Sequence, residues 1–374
     1  MISRTISGIL CKHLGLNKAI LLFGARQVGK TTLLENLDCF KNQAVLYLNG
    51  DDADVREQLS NTTSTHLKNI FGKNKIVVID EAQQIPNIGI TLKLITDKLK
   101  SVQVIATGSS AFELANQANE PLTGRKFEFH LFPLTFGEMA AHHGFLEENR
   151  NLEKRMIFGY YPEIVNNPGN EEKLIKLIAN SYLYKDLLML ENIKRSSYLE
   201  KILKALALQV GSEVSNNEIA QLIGTDNKTV EKYIDLLEKT YVIFKLPALN
   251  RNVRNEIKKG KKIFFWDNGI RNSVLGNFSP LNKRTDTGIL WENFLISERM
   301  KLNFNKQQTV SSFFWRTTQM QEIDYLEEFP DQIHAFEFKW NVKSKVKFSK
   351  TFTSAYNVSE IKTITPNNLD EFLL

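Results

Sequence analysis

One stretch near the N terminus, residues 19–37 (AILLFGARQVGKTTLLENL), constrains the fold more than any other feature of the chain. It joins a short apolar run typical of a buried strand, a glycine-containing loop and a segment with helical periodicity. The loop matches G-x-x-x-x-G-K-[ST], in which backbone N–H groups wrap phosphates, the lysine reaches the β and γ phosphates and the hydroxyl binds magnesium. The order of elements favours a nucleotide-binding α/β core over an ordinary glycine-rich turn. The predicted nucleotide contacts are Gly24, Ala25, Arg26, Gln27, Val28, Gly29, Lys30, Thr31 and Thr32, with Lys30 also catalytic and Thr31 also a magnesium ligand.

Two further strand-like runs end in the groups that such a loop requires. The run KIVVIDEAQ ends in Asp80 and Glu81. In a P-loop protein an acid at this place holds the magnesium, and a neighbouring glutamate orients the attacking water. The run VQVIATGSS ends in Ser109 and Ser110, either of which would contact the γ-phosphate or that water. A serine-rich turn after a strand is the alternative interpretation of these last two residues.

Taken together, GARQVGKTT, VVIDEAQ, IATGSS and LTGRKFEFHLFPLTFGE resemble the AAA+ ATPase domains of a large prokaryotic family whose C-terminal region has long been labelled as of unknown function. The resemblance implies ATP and Mg²⁺ as cofactors and a homo-oligomer, expected to be a hexameric ring, in which a neighbouring subunit supplies a catalytic arginine. Arg125 in LTGRKF is the candidate for that arginine, and an ordinary ion-pairing arginine is the alternative. Family members carry Gly-Gly-aromatic-Pro where this chain has GYYPE at residues 159–163, so Tyr160 replaces the second glycine.

The middle of the chain, residues 146–250, predicts a helical lid followed by a winged helix. The segment EEKLIKLIANSYLYKDLLML carries an apolar stripe at helical spacing. Beyond it, Ser215 with Glu218 three residues later indicates a helix start, and Gly224 ends that helix. A second helix is expected from about Asn227, and the strand-like YVIFKL completes the outline.

Two basic segments of this region are candidate nucleic-acid contacts. The second helix of a winged helix lies against DNA and here presents Lys228, Thr229 and Lys232. The same helix carries acidic residues that oppose phosphate, so a lid or a subunit contact is the alternative. The run RNVRNEIKKGKK at residues 251–262 is the better basic patch, with an ordinary solvated loop as its alternative.

The C-terminal region, residues 251–374, predicts a helix and a sheet with an ionic face. A hairpin over QEIDYLEEFPDQIHAFEFK places Asp324 opposite Glu337, an unfavourable pairing unless a positive charge lies between them. With Glu292 on the helix and Lys339, these residues resemble the helix-Glu, strand-Asp, Glu-x-Lys arrangement of the PD-(D/E)XK, restriction-endonuclease-like superfamily. The resemblance implies that Glu292, Asp324 and Glu337 bind magnesium and that Lys339 is catalytic, orienting the attacking water. A solvated sheet face neutralised by Lys339 is the alternative.

Composition narrows the class of protein. The 48 Lys and Arg against 42 Asp and Glu give a formal charge of +6, which mildly favours polyanionic partners. Two cysteines, Cys11 and Cys39, offer neither a disulfide framework nor a metal-ligand set and favour a reducing compartment. No stretch approaches the length of an apolar membrane span, so a cytoplasmic protein without membrane contact is expected.

The sequence therefore predicts an α/β protein with an AAA+ parallel-sheet core (1–145), a helical lid with a winged helix (146–250) and a restriction-endonuclease-like α/β domain (251–374). The expected function is ATP hydrolysis that moves or remodels bound nucleic acid, in particular DNA and including branched DNA. A nucleotide-dependent switch with protein-interaction domains and an ATP-regulated, metal-dependent DNA nuclease are the alternatives.

Overall fold

The computed structural model describes residues 1–109, 121–181, 196–250, 260–308, 310–317, 319–344 and 346–374. Contacts divide the chain into two compact units: Met1–Pro133 with Lys239–Tyr241, and Leu134–Glu238 with Val242–Leu374. The predicted middle and C-terminal regions thus share one unit, and their separation into two domains stays a prediction. Within the described part of the chain, no helix is both long and apolar enough to cross a membrane.

The first unit is built on a sheet of five strands. They are β1 (Ala19–Phe23), β2 (Val45–Asn49), β3 (Ile76–Asp80), β4 (Gln103–Gly108) and β5 (Lys126–His130). All neighbours run parallel, in the order β2-β3-β4-β1-β5. The central strands β1 and β4 are buried throughout, which explains their continuous apolar runs. The predicted α/β class with a parallel-sheet core is confirmed.

Short helices connect these strands. They are α1 (Ile6–Lys12), α2 (Lys30–Glu35), α3 (Ala53–Leu59), α4 (Ser64–Phe71) and α5 (Ile88–Lys98), with 3₁₀ turns η1 (Asp38–Phe40) and η2 (Ala82–Gln84). Because β1 to β4 are parallel and α2 directly follows the loop after β1, the predicted phosphate loop and the end of β3 lie at the same edge of the sheet.

The two cysteines are paired, contrary to the expectation that they offer no disulfide framework. Cys11 on α1 and Cys39 in η1 form a disulfide with their Cα atoms 5.7 Å apart, within the range that a disulfide spans. The fold brings together two segments that are 28 residues apart. Pairing of this kind depends on tertiary structure, which cysteine spacing does not reveal, and the inference of a reducing compartment loses its basis.

The second unit begins with helices. In chain order they are α6 (Phe136–His143), α7 (Phe145–Arg150), α8 (Leu152–Phe158), α9 (Pro162–Asn166), α10 (Glu171–Asn180), α11 (Ser196–Leu208), α12 (Asn216–Ile223) and α13 (Asn227–Lys239). Helix α6 carries a complete capping box, because Thr135 and Glu138 each accept a hydrogen bond from the other's backbone N–H.

The ends of α12 agree with the sequence prediction. The Ser215 hydroxyl accepts a hydrogen bond from the Glu218 backbone N–H, and Gly224 closes the helix in the left-handed conformation. After α13, the strands β6 (Ile243–Pro247) and β7 (Lys261–Phe265) pair as an antiparallel hairpin. This order of elements is the one expected of a winged helix, an assignment that stays a prediction.

The chain ends in a four-stranded sheet with flanking helices. Its elements are α14 (Asn268–Leu275), η3 (Leu281–Lys283), α15 (Thr287–Asn305), β8 (Ser311–Arg316), β9 (Glu322–Glu328), β10 (Ile333–Phe338), α16 (Lys350–Ala355), β11 (Val358–Ile364) and α17 (Asp370–Leu373). The strand order is β11-β10-β9-β8, with β11 parallel to β10 and the other pairs antiparallel. Ile333 pairs with Glu328 and Phe336 with Tyr325, which confirms the predicted hairpin register.

A tight backbone contact marks the start of the GYYPE segment. Gly159 has φ +79°, and a Cβ added to it would overlap the carboxylate of Asp267. That carboxylate is buried, accepts a hydrogen bond from the Tyr160 backbone N–H at 2.7 Å and caps α14 through the Ile270 N–H. The Tyr160 hydroxyl donates to Glu148 at 2.6 Å. The first glycine is therefore required, whereas Tyr160 has its own buried partner.

We expect Gly159→Ala to lower the free energy of unfolding by about 3 kcal/mol, because left-handed strain adds to the loss of the buried Asp267 hydrogen bonds. Gly169→Ala is the matched control: Gly169 also has a positive φ, +92°, but a Cβ there would meet nothing within 4 Å. Gly169→Ala should lower the free energy of unfolding by the backbone strain alone, about 1–2 kcal/mol. Urea unfolding of both variants checks this, and equal losses would contradict the Asp267 contact.

Candidate functional site

The loop between β1 and α2 has the backbone of a phosphate-binding loop. Gln27 and Gly29 both have positive φ, 61° and 93°. Gly24 lies so close to the Leu131 carbonyl that a Cβ would overlap it. Of the other predicted contacts, Arg26 and Thr32 are exposed, while Ala25 and Val28 are buried. The loop is thus preformed, and its glycines are fixed by close approach and by backbone conformation.

Lys30 is held inside this loop. Its side chain is buried, and Nζ donates to the carbonyl oxygens of Gly24 and Ala25 at 2.9 and 3.0 Å. These bonds keep the ammonium at the loop, where a phosphate would offer it stronger, charged acceptors. The arrangement fits ATP.

Arg4 supports the loop from outside and was not recognised from the sequence. Its guanidinium donates to the Val28 carbonyl at 2.8 Å and to the Phe132 carbonyl at 2.6 Å. Arg4 is buried and 128 residues from Phe132 in sequence. No local pattern could have revealed it.

The two predicted magnesium ligands of the phosphate site, Thr31 and Asp80, lie in contact next to the loop. The Thr31 hydroxyl donates to Asp80 Oδ2 at 2.7 Å, and the buried Thr107 hydroxyl donates to Asp80 Oδ1. Thr31 and Asp80 thus lie together at the edge where β1 and β3 end. Mg²⁺ in nucleotide sites is bound by one or two protein oxygens together with phosphates and water. These residues fit that ion.

Glu81 follows directly and is held in an unusual backbone conformation. It has φ +46° and ψ +42°, in the left-handed region that non-glycine residues rarely adopt. Its carboxylate accepts a hydrogen bond from Gln83 Nε2 at 2.5 Å, and the same amide donates to Ser109 Oγ at 3.2 Å. Gln83 therefore links the predicted water-orienting carboxylate to the predicted phosphate sensor. Ser110 lies outside the described residues.

Gln83 was missed by sequence reasoning although it lies two positions after Glu81. It is only 7% exposed, and its Oε1 atom has no hydrogen-bond partner among the described residues. A buried amide oxygen without a hydrogen-bond partner costs free energy. Such unsatisfied groups are common at functional sites.

Arg125 lies away from this site. It precedes β5, its carbonyl accepts from the Ala19 backbone N–H, and it is therefore at the amino edge of the sheet, opposite the phosphate loop. Its Nε pairs with Asp97 at 2.7 Å, and its side chain is 44% exposed. Arg125 does not contact the phosphate site of its own chain. It could therefore act in catalysis only on the nucleotide of another copy of the chain.

The second unit gathers the four residues of the predicted nuclease-like set. Lys339 Nζ lies 2.9 Å from Glu337 and 3.7 Å from Asp324, and Asp324 also accepts from the Phe338 backbone N–H at 2.8 Å. Burial, with Asp324 nearby, raises the pKa of Glu337 to about 7. Burial likewise raises the pKa of Glu292 to about 7, against the opposing effect of a neighbouring lysine.

That lysine is Lys262 on β7, which the sequence placed in the basic patch. Its Nζ lies 3.1 Å from Glu292 and 2.6 Å from Glu322. Lys262 is the last residue of that patch, and because its side chain is only 2% exposed it is not accessible to phosphate. Residues 251–259 of the patch lie outside the described residues.

The metal ligands predicted in this cluster, Glu292, Asp324 and Glu337, do not form a site for a divalent ion. In the described part of the chain, no three Asp, Glu, His or Cys side chains are arranged to hold one. Glu292 faces Lys262, while Asp324 and Glu337 share Lys339. Lys339 is the lysine expected of the motif, but Lys262 brings a second ammonium group to a carboxylate that a metal would need.

Comparison with known protein families matches three segments. Residues 16–140 match a family described as an AAA domain, and residues 149–281 and 287–369 match two families each described as a domain of unknown function, DUF8612 and DUF4143. The AAA match spans the phosphate loop and β3. Together with the parallel sheet, it supports an AAA-type ATPase core.

Relatives and solved structures agree with the fold. An uncharacterized protein of Haemophilus influenzae is 26% identical over 279 residues, 68% of each chain. One of Mycobacterium tuberculosis is 24% identical over 325 residues, 86% of this chain and 70% of the relative. A Walker-type ATPase of Pyrococcus abyssi covers 74% of this chain and 96% of its own, with a TM-score of 0.50 and 18% identity. At that identity the likeness concerns the fold.

We expect Gln83→Leu to lower kcat for ATP by about 10- to 100-fold with little change in ATP affinity, because Glu81 loses the amide that positions it. Glu81→Gln should lower kcat further and retain bound ATP. Gln84→Leu, at the exposed neighbouring position, is the control and should behave as wild type. Steady-state turnover and equilibrium nucleotide titration separate these effects; wild-type turnover by Gln83→Leu would exclude the positioning role.

Proposed function

We propose that this protein hydrolyses ATP to move or remodel nucleic acid, in particular DNA, bound through its second unit. The proposal of ATP hydrolysis rests on the side chains that meet at one edge of the parallel sheet. Lys30, Thr31, Asp80 and Glu81 converge there from two chain segments, with their hydrogen bonds already formed.

Each of these residues has a distinct task in hydrolysis. Lys30 would bind the β and γ phosphate oxygens, and Thr31 and Asp80 would hold Mg²⁺, which would offset phosphate charge. Glu81 orients the water that attacks the γ-phosphate and takes up its proton. Ser109, hydrogen-bonded through Gln83 to Glu81, is placed to report whether the γ-phosphate is present.

The nucleic-acid part rests on the charges of α13. Lys228 and Lys232 are exposed on this helix. Two of its acidic residues, Asp235 and Glu238, pair with Lys245 of β6 at 2.5 and 2.8 Å. Burial alone would lower the pKa of Lys245, but these carboxylates raise it. These ion pairs with Lys245 neutralise part of the negative charge of α13, which would otherwise repel phosphate.

We expect the protein to bind labelled linear, forked and four-way DNA, with affinity falling steeply between about 50 and 200 mM salt because phosphate contacts release counterions. Lys228→Ala/Lys232→Ala should reduce the slope of log Kd against log salt by about 2, since each lost phosphate contact removes about 0.9. Lys73→Ala/Lys93→Ala, exposed lysines of the first unit, is the control. Fluorescence anisotropy measures both, and absence of binding at low salt would end the nucleic-acid proposal in favour of a switch ATPase.

We propose further that Arg125 acts on the nucleotide of a neighbouring subunit in a homo-oligomeric ring. Its side chain is partly exposed at the amino edge of the sheet, where a neighbouring subunit could contact it. An arginine that neutralises charge in the transition state contributes about 10³-fold or more to turnover.

Arg125→Glu should therefore abolish ATP turnover and spare ATP binding. Asp97→Asn, which removes only the ion-pair partner, should retain turnover. Mixing Arg125→Glu with Glu81→Gln should restore activity, because a mixed ring contains interfaces with one intact arginine and one intact glutamate. Unchanged turnover of Arg125→Glu would end its candidacy, and failure of the mixture would argue against action between subunits.

A further inference from the structure

Lys262 has the environment of a bound cation rather than of a surface lysine. Its ammonium lies between Glu292 of α15 and Glu322 of β9. Burial alone would lower its pKa, but the two carboxylates, with Asp324, raise it. The ring of Phe314 lies 5.3 Å from Nζ. Carboxylates and an aromatic face thus surround the charge on several sides.

The elements around Lys262 fix its position. On β7 it pairs with Leu246 of β6, and a bridge to Glu213 holds the other side of the strand. Gly211 approaches Glu292 so closely that a Cβ there would lie 3.1 Å from Oε2. The carboxylate and the ammonium are therefore both constrained, with little space between them for a further ion.

The remaining carboxylates have their own cations. Glu322 is also 3.8 Å from Arg316, while Asp324 and Glu337 share Lys339. A divalent ion bound by Glu292 and Asp324 would lie within a few ångströms of the Lys262 ammonium, and the two positive charges would repel each other in a site with little water.

We propose that Lys262 is the resident cation of this cluster and takes the place of a divalent metal ion. The carboxylates are held together by the protein's own ammonium groups, so the C-terminal region keeps its structure without a metal and does not cleave phosphodiesters. Removing the Lys262 charge leaves the partly buried Glu292 without a cation beside Glu322 and Asp324, and this converts the cluster into a site for a divalent cation. The inference is independent of ATP hydrolysis.

Mn²⁺ titration of the full-length, nucleotide-free protein, followed by electron paramagnetic resonance, tests this proposal. Lys262→Met should bind Mn²⁺ about tenfold or more tightly than wild type, the scale on which groups beside metal ligands change affinity. Lys261→Met, the adjacent position on the same strand, should match wild type. Lys262→Met/Glu292→Gln should lose the added affinity, which assigns the site to this cluster rather than to the phosphate loop.

Thermal unfolding provides a second measurement. Mn²⁺ should leave the melting temperature of wild type unchanged and raise that of Lys262→Met, because a cation that binds only the folded state stabilises it. The proposal would be overturned if Mn²⁺ raised the melting temperature of wild type and Glu292→Gln abolished that rise. This outcome can be measured even if Lys262→Met does not fold. A folded Lys262→Met without Mn²⁺ binding would also overturn the proposal, as would Mn²⁺-dependent DNA cleavage by wild type that Asp324→Ala removes.

Discussion

The Asp80 carboxylate is the group on which the nucleotide site depends. One oxygen accepts from Thr31 at the start of α2, and the other accepts from Thr107 on β4 and from the Glu81 backbone N–H. In the sheet, β4 lies between β3 and β1, so this one side chain joins the end of β3 to β4 and to the helix that follows β1. The parallel register places the ends of these strands at one edge. The distance between the phosphate loop and the acidic strand is therefore set before nucleotide binds, and Glu81 is placed relative to both.

The second unit is organised by a different constraint, which is that a buried charge needs a partner. Glu327 is fully buried and is bound by Arg299 at 2.7 Å and by Asn303 at 2.7 Å. Glu298 pairs with Lys301 at 2.7 Å, and both side chains are buried. Loss of one member leaves an uncompensated charge, which is far more costly than loss of a surface pair. The Glu298–Lys301 pair lies within α15, whereas the Arg299–Glu327 pair joins α15 to β9 and so helps to fix how this helix packs on the C-terminal sheet.

Sequence reasoning succeeded where structure is set by neighbours in the chain. The strand, loop and helix of the phosphate site, the ends of α12 at Ser215 and Gly224, and the register of β9 with β10 follow from turn chemistry and alternation. It failed where distant segments meet. The Cys11–Cys39 disulfide depends on the packing of segments that no periodicity relates. A usable signal existed for Lys262, since it directly precedes the apolar residues of the strand KKIFF, and a lysine buried in such a strand requires an acidic partner.

The C-terminal cluster also shows why a short ionic motif leaves function open. The pattern helix-Glu, strand-Asp, Glu-x-Lys specifies where negative charge accumulates. The observed register of β9 and β10 is consistent with the prediction that Asp324 and Glu337 lie opposite each other. The pattern does not specify which positive charge compensates them. That choice is made by a residue from the preceding hairpin, whose strand carries Lys262 into the cluster. Because an ammonium group as well as a metal ion can compensate carboxylates, the pattern of carboxylates alone does not decide whether such a cluster holds a metal ion, and in this chain the lysine of β7 supplies one of the compensating charges.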